Sequence, residues 1–283
     1  MKHPLHRITL SALCLATAGS ASGQEALQLR RADHHRFQAA AHAPAAMPCR
    51  GIAIISPGAG GSEKGYGYLG EALSSLGYLA VVVGHPESGR RALREQVRGQ
   101  GLREGLADLI TDPQAYHGRF LDIAASVRWA ESRCASTEKL LIGHSMGAAT
   151  AMLEAGAANL LGVKGSDAFK AYITLSPQGV GAIFPENAWA GIRKPVLMLT
   201  GTRDTELGGA SWETRTTAFS SMPPGCKWLG VIDGASHMNF AGNGASRRTE
   251  ALTARTISAF VDALGRGDCL VGPPQEGIRL TTK

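Results

Sequence analysis

Leu140-Leu141-Ile142-Gly143-His144-Ser145-Met146-Gly147-Ala148-Ala149-Thr150 is the stretch that decides how this chain folds. Three apolar residues run into Gly-x-Ser-x-Gly, and small residues follow. An apolar run without polar alternation predicts a strand buried on both faces. The Ala-rich continuation predicts a helix. Glycines flanking Ser145 let strand and helix pack closely and let the serine backbone take a strained conformation. The Ser145 hydroxyl is then exposed at the strand end, beside the positive end of a helix. In that context the motif predicts a nucleophile elbow rather than a plain glycine-rich turn.

The same alternation extends outward. Gly51 to Ile55, Tyr78 to Val83, Ala171 to Leu175, Val196 to Thr200 and Leu229 to Ile232 are short apolar runs, predicted as strands. Leu69, Ala72, Leu73 and Leu76 keep helical spacing and stop at Gly77, a second helix runs through Ile123, Val127 and Ala130, and a last one covers roughly Thr249 to Leu264. Strands separated by helices predict an α/β fold, a mostly parallel central sheet with helices on both faces. One such domain is expected over 49–283. Residues 24–48 are Ala- and His-rich and are expected as a loosely ordered arm, with room for a short strand near Leu27 to Leu29. His34, His35 and His42 in it fit an exposed irregular arm better than a metal site.

All strand C-termini of a parallel sheet meet at one edge, where ligands bind. A serine hydroxyl there needs a base. His237, just after Leu229 to Ile232, is the candidate. His144 should point into the fold, His85 precedes Ser145 against the order nucleophile, acid, base, and His117 has no strand behind it. The acid should follow a strand between Ser145 and His237. Asp204, after Val196 to Thr200, is chosen over Glu206, and Asp233 is expected to cap a turn. Acyl transfer also needs N–H donors for the oxyanion. Met146 supplies the first, and the second should come from the loop Ser56-Pro57-Gly58-Ala59-Gly60-Gly61. That loop lacks both glycine-rich nucleotide patterns.

The 283 residues suit one domain, and 18% charged residues with 36 glycines suit a chain with many tight strand-to-helix turns rather than a coiled coil or a disordered chain. Lys2 and Arg7, the apolar run Ile8 to Ala18 and Ala21-Ser22-Gly23 have the anatomy of a signal peptide over residues 1–23. Its removal takes two positive and no negative charges, lowering the formal net charge from +6 to +4. Export to the periplasm or medium follows, with no stable membrane insertion. Arg90, Arg91, Arg94, Arg98 and Arg103 form the one dense basic stretch, predicted as a solvated helix face and not a nucleic-acid site. Cys14 leaves with the signal. Cys49, Cys134, Cys226 and Cys269 remain, an even count that predicts two disulfides with three possible pairings.

Ser56 to Gly61, Tyr68 to Leu73, Gly77-Tyr78, Gly84-His85-Pro86, Arg119 to Trp129, the elbow Gly143 to Gly147, Gly201 to Asp204 and Gly234 to Phe240 resemble bacterial dienelactone-hydrolase-like and platelet-activating-factor-acetylhydrolase-like esterases of the α/β-hydrolase superfamily. The Gly-His-Ser-Met-Gly elbow also resembles that of bacterial cutinases and polyester hydrolases. The resemblance covers roughly residues 50–264. It implies a Ser145, Asp204, His237 triad, Ala59 N–H as the second oxyanion donor, and hydrolysis of small or polymeric esters with no metal or cofactor. Pro57 stands where many relatives carry His, and residues 24–48 leave little room for the family's N-terminal strand pair. The implied topology joins Cys49 to Cys134 and Cys226 to Cys269 at the sheet's lower edge. A monomer with an open cleft is expected, since no large lid lies between Leu175 and Pro195, and Tyr66, Phe184, Trp189 and Trp212 are candidate pocket residues. An amidase, peptidase or thioesterase with the same triad, or a non-catalytic binding protein on this scaffold, are the alternatives.

Overall fold

The structure, a computed structural model, describes residues 24–206, 208–242, 244–273 and 275–283. The expected signal peptide lies outside them. In chain order the elements are β1 (Glu25–Arg30), β2 (Arg36–His42), β3 (Gly51–Ser56), α1 (Gly67–Ser75), β4 (Tyr78–Val83), α2 (Arg90–Gln96), α3 (Leu102–Thr111), α4 (Pro113–Glu131), β5 (Lys139–His144), α5 (Met146–Glu154), β6 (Ala171–Leu175), β7 (Val196–Arg203), α6 (Thr217–Ser221), β8 (Lys227–Ser236), α7 (Arg247–Arg266) and β9 (Ile278–Thr282).

The nine strands form one sheet in the order β1-β2-β4-β3-β5-β6-β7-β8-β9. β4 through β8 in that order run parallel, and the flanking β1, β2 and β9 pair antiparallel. Every residue of β3, β4 and β6 is buried, as expected for strands covered on both faces. One face packs against α4 and α5, through Tyr116, Ile123, Met152 and Leu153. The other packs against α1 and α7, through Leu69, Leu73, Ile257 and Phe260. Asp112 caps α4 by accepting from Gln114 N at 2.8 Å, with Pro113 preset in the first turn. Ser246 caps α7 by accepting from Thr249 N, and Gly267 ends it at φ 74°.

Two expectations need correction. Residues 24–48 are not a loose arm: they supply β1 and β2, a hairpin that extends the sheet beyond β4. Its turn is anchored by Arg31, whose buried guanidinium binds Asp122 of α4 (Nε to Oδ1, 2.5 Å) and Glu87 (Nη1 to Oε1, 2.6 Å). The predicted strands, of which Leu229 to Ile232 stands latest in the chain, also miss β9, which adds antiparallel to β8. Arg90, Arg91, Arg94, Arg98 and Arg103 are exposed on and around α2 and α3. No described helix is long and apolar enough to cross a membrane.

Cys49 is bonded to Cys134, and Cys226 to Cys269. The first pair joins the chain entering β3 to that between α4 and β5. The second joins the entry to β8 to the chain leaving α7.

Candidate active site

β5 ends at His144 and α5 begins at Met146, so Ser145 is the whole connection. Its backbone sits at φ 54°, ψ −120°, a strained conformation for a residue with a side chain. Ser145 N–H donates to Leu175 O at 3.0 Å, which pins the turn to β6. The close packing that the glycines permit is literal. A Cβ on Gly147 would lie 1.9 Å from Ser56 O, and one on Gly143 would lie 2.0 Å from Gly147 O.

His237 opens a short 3₁₀ turn, His237–Ala241, where β8 ends. Ser236 and Asn239 form a capping box that fixes the turn. His237 Nε2 lies 2.9 Å from Ser145 Oγ, and its Nδ1 lies 3.1 Å from Asp204 Oδ1. The three residues singled out from the sequence are thus brought into one hydrogen-bonded line at the strand ends.

Asp204 is fully buried after β7. Thr200 Oγ1 donates to its Oδ2 at 2.9 Å, Ser176 Oγ donates to its Oδ1 at 2.9 Å, and Arg215 Nε lies 2.9 Å from Oδ1. Burial alone would favour the neutral acid. The His237 hydrogen bond and the Arg215 charge outweigh it and hold the carboxyl below its ordinary range. Arg215 is itself buried, and its Nε, Nη1 and Nη2 donate to backbone carbonyls of Asp204, Ser176, Pro177 and Thr205. Arg215, Thr200 and Ser176 carry no motif and were not identified from the sequence. Only the distance between strand ends reveals them.

The loop Ser56 to Gly61 lies against the nucleophile: a Cβ on Gly58 would stand 3.1 Å from Ser145 Cβ. Tyr66 Oη accepts from Gly58 N at 3.2 Å, and Arg119 Nη1 donates to Pro57 O at 2.8 Å. Ala59 N–H has no acceptor among the described residues. Met146 N–H belongs to the first turn of α5, where a helix leaves donors free. Under this loop lies a second Ser, His, Asp set. Ser56 Oγ is 2.9 Å from His85 Nε2, and His85 Nδ1 is 2.9 Å from Asp122 Oδ2. Ser56 has no solvent exposure, and Arg119 also donates to its hydroxyl, so this set holds the loop rather than meeting a substrate. Burial, with Arg119 and Arg31 nearby, keeps the His85 imidazole neutral, well below its ordinary pKa.

A cleft of about 420 Å³ opens over Ser145 and His237. Its apolar wall is aliphatic: Leu106 and Ile110 from α3, and Val180, Ala182 and Ile183 from the loop after β6. Among the described residues none of the candidate aromatics lines it. Phe184 and Trp189 are fully buried in the core, Tyr66 is committed to Gly58 and His144, and Trp212 lies under the Arg279 guanidinium. Large rings in these loops gain more by leaving water than by facing the cleft. Glu206 borders the cleft and accepts from Gly179 N at 3.1 Å, far from the role of acid to His237. Asp233 is exposed and pairs with Thr202, and His117 is exposed on α4. Among the described residues no group of three or more His, Cys, Asp or Glu could hold a metal ion.

No protein-family model and no curated protein sequence matches the chain. Solved structures do. The fold is similar to an esterase domain of a Rhodothermus marinus protein, with TM-score 0.57, 16% identity, and coverage of 84% of this chain and 98% of that one. It is also similar to a Klebsiella pneumoniae protein assigned as a dienelactone hydrolase, with TM-score 0.60, 16% identity, and coverage of 84% and 99%. The chain therefore has the α/β-hydrolase fold.

Proposed function

We propose that this protein is an exported serine hydrolase that cleaves carboxylic esters through an acyl-enzyme on Ser145. The observation that carries the reading is the line Ser145 Oγ, His237 Nε2, His237 Nδ1, Asp204 Oδ1, with its serine end open to an apolar cleft. The esterase and dienelactone hydrolase among its structural neighbours favour esters over other acyl groups. The two disulfides favour an oxidising compartment.

His237 Nε2 takes the Ser145 proton as the oxygen attacks the ester carbonyl carbon. Ala59 and Met146 N–H groups receive the negative charge that develops on the carbonyl oxygen. The intermediate collapses, and the alcohol leaves with the proton from His237. Water then loses a proton to His237 and attacks the acyl carbon, and Ser145 regains its hydrogen. Asp204 stays ionised throughout and steadies the imidazolium. The aliphatic walls suit a neutral apolar acyl or alcohol group. Arg215, which also borders the cleft, already donates to four backbone carbonyls and faces Asp204, and Glu206 adds a carboxylate to the cleft wall, so a neutral substrate group fits there better than a carboxylate.

The test is hydrolysis of p-nitrophenyl esters from acetate to decanoate by the mature protein and by Ser145→Ala, together with labelling by a fluorophosphonate. Turnover and labelling that both vanish in the variant support the reading. A well-folded wild type that neither turns over esters nor labels would overturn it.

A further inference from the structure

Ser176 directly follows β6 in a conformation few residues with a side chain adopt, at φ 53°, and it is fully buried. Its Oγ lies 2.6 Å from His237 Nδ1 and 2.9 Å from Asp204 Oδ1. The carboxylate oxygen stands farther from Nδ1, at 3.1 Å. The nearest partner of the base is therefore a hydroxyl and not the acid.

A count of donors and acceptors gives the direction of each bond. An ionised carboxylate only accepts, and a hydroxyl donates once and accepts through its lone pairs. If Ser145 is to donate to Nε2, the neutral imidazole carries its hydrogen on Nδ1. Nδ1–H then donates to Ser176 Oγ, and Ser176 O–H donates to Asp204 Oδ1. The reverse direction would put two lone pairs face to face at 2.9 Å and leave Ser145 without a base.

We infer that Ser176 is a positioning residue that bridges His237 to Asp204, resting on the reading of Ser145 and His237 as nucleophile and base. The hydroxyl is placed by its backbone. Ser176 N–H donates to Leu199 O at 2.7 Å, and Ser176 O accepts from Arg215 Nη1 at 3.3 Å. The strained φ aims Cβ into the gap between the ends of β7 and β8. When His237 takes the Ser145 proton, the bridge keeps its direction: the charge stays on the imidazolium, and the Ser176 hydroxyl dipole couples it to the Asp204 carboxylate with no proton moving onto the carboxylate.

The experiment is a double-mutant cycle of Ser176→Ala and Asp204→Asn, with p-nitrophenyl butyrate as substrate. Loss of a hydrogen bond to a charged partner should lower kcat roughly ten- to hundredfold in Ser176→Ala, with KM within about twofold. In the Asp204→Asn background the same substitution should cost less than about twofold, because the bridge then has no carboxylate to reach. An unchanged kcat, or an equal loss in both backgrounds, overturns the inference. A second readout does not need turnover. The His237 Nδ1–H proton resonance should move upfield in Ser176→Ala, and an unmoved resonance also overturns the bridge. If the wild type hydrolyses no ester, the ester reading falls and this resonance alone decides Ser176.

Discussion

Tyr66 Oη lies 2.8 Å from His144 Nδ1, and this contact joins the two halves of the site. His144 Nε2 is 3.0 Å from His237 O, a carbonyl that only accepts, so Nε2 carries the hydrogen. Nδ1 must then accept from Tyr66 O–H, which leaves the Tyr66 oxygen free to accept from Gly58 N–H. One directed chain thus runs from the proposed oxyanion loop, past the nucleophile, to the backbone of the base. Its direction requires a neutral His144.

Tyr66→Phe should break this chain while keeping the ring in its buried place. Gly58 N–H and His144 Nδ1 would lose their partner at once. The expected cost is about 1–3 kcal/mol of stability, the typical penalty for stranding buried polar groups. If the loop loosens with it, kcat should fall while the triad stays intact. Urea denaturation and kcat for a short-acyl ester check both. A variant as stable and active as the wild type would remove the chain from any role.

Burial, reinforced by the charge of nearby His237, pushes His144 down to about 3. In the unfolded chain the same group titrates at about 6.5. Between those values the unfolded state binds a proton that the fold refuses. The contribution of His144 is therefore complete above about pH 6.5 and is lost as pH falls toward 3, at most about 1.4 kcal/mol per pH unit. His85 acts in the same direction. Denaturation free energies at pH 5 and 7 should show the loss, and His144→Gln should flatten it. Burial raises Asp122 to about 7, which adds stability on acidification over the same range, so the difference between wild type and His144→Gln is decisive, and a difference that does not change between pH 7 and 5 would contradict the assignment.

Arg215 should tolerate replacement poorly. Arg215→Leu would leave Asp204 as a buried charge without its cation, a change that typically costs about 3–5 kcal/mol. Arg215→Lys keeps the charge but cannot span four carbonyls, so it should fall between. The pH–rate profile should report the same event, with activity lost at higher pH on the acid side as the Asp204 carboxyl becomes easier to protonate. Equal profiles for Arg215→Lys and wild type would show that the charge alone suffices.

These residues also mark what a sequence can convey. β3, β4 and β6 were legible because a strand covered on both faces has to be apolar throughout. Ser145, Asp204 and His237 were legible because each follows such a run. Of the hairpin, β1 is legible near Leu27 to Leu29, but β2 and its pairing into the sheet are not, although Leu27, Leu29 and Phe37 alternate inward along it. Its order depends on Arg31 reaching Asp122, 91 positions away, and spacing carries no trace of that pair. Ser176 escaped notice for a similar reason. A lone Ser before Pro177 has meaning only when the ends of β6, β7 and β8 are brought together. Loop position suggests the aromatics as cleft residues, whereas Tyr66, Phe184 and Trp189 pack into the core and Trp212 lies half-buried under Arg279.

The disulfides should contribute through the unfolded state. Cys49 and Cys134 are 85 positions apart, and Cys226 and Cys269 are 43 apart. Loops of those lengths correspond to about 4–5 kcal/mol each in the chain-entropy account. Thermal melts with and without reductant, and of Cys226→Ser with Cys269→Ser, should show the loss. Identical melting temperatures would mean that the links constrain little.

Gly147→Ala is the sharpest test of the elbow. The added Cβ would sit 1.9 Å from Ser56 O, an overlap that only backbone movement can relieve. Ser56 ends β3 and begins the loop that carries Ala59, while Gly147 lies two residues from Ser145. Relief must therefore spread the nucleophile and Met146 N–H away from Ala59 N–H. A displacement of about 1 Å in a preorganised site costs on the order of 10²-fold in rate. The variant should lose at least that in kcat and should also melt earlier. Gly191→Ala is the control, since its Cβ meets nothing within 4 Å and its φ is not positive. It should be neutral in both assays. If Gly147→Ala kept full activity, the helix and the loop would have to be able to part without moving the oxyanion donors, and the close approach at Ser56 would not be what aligns them.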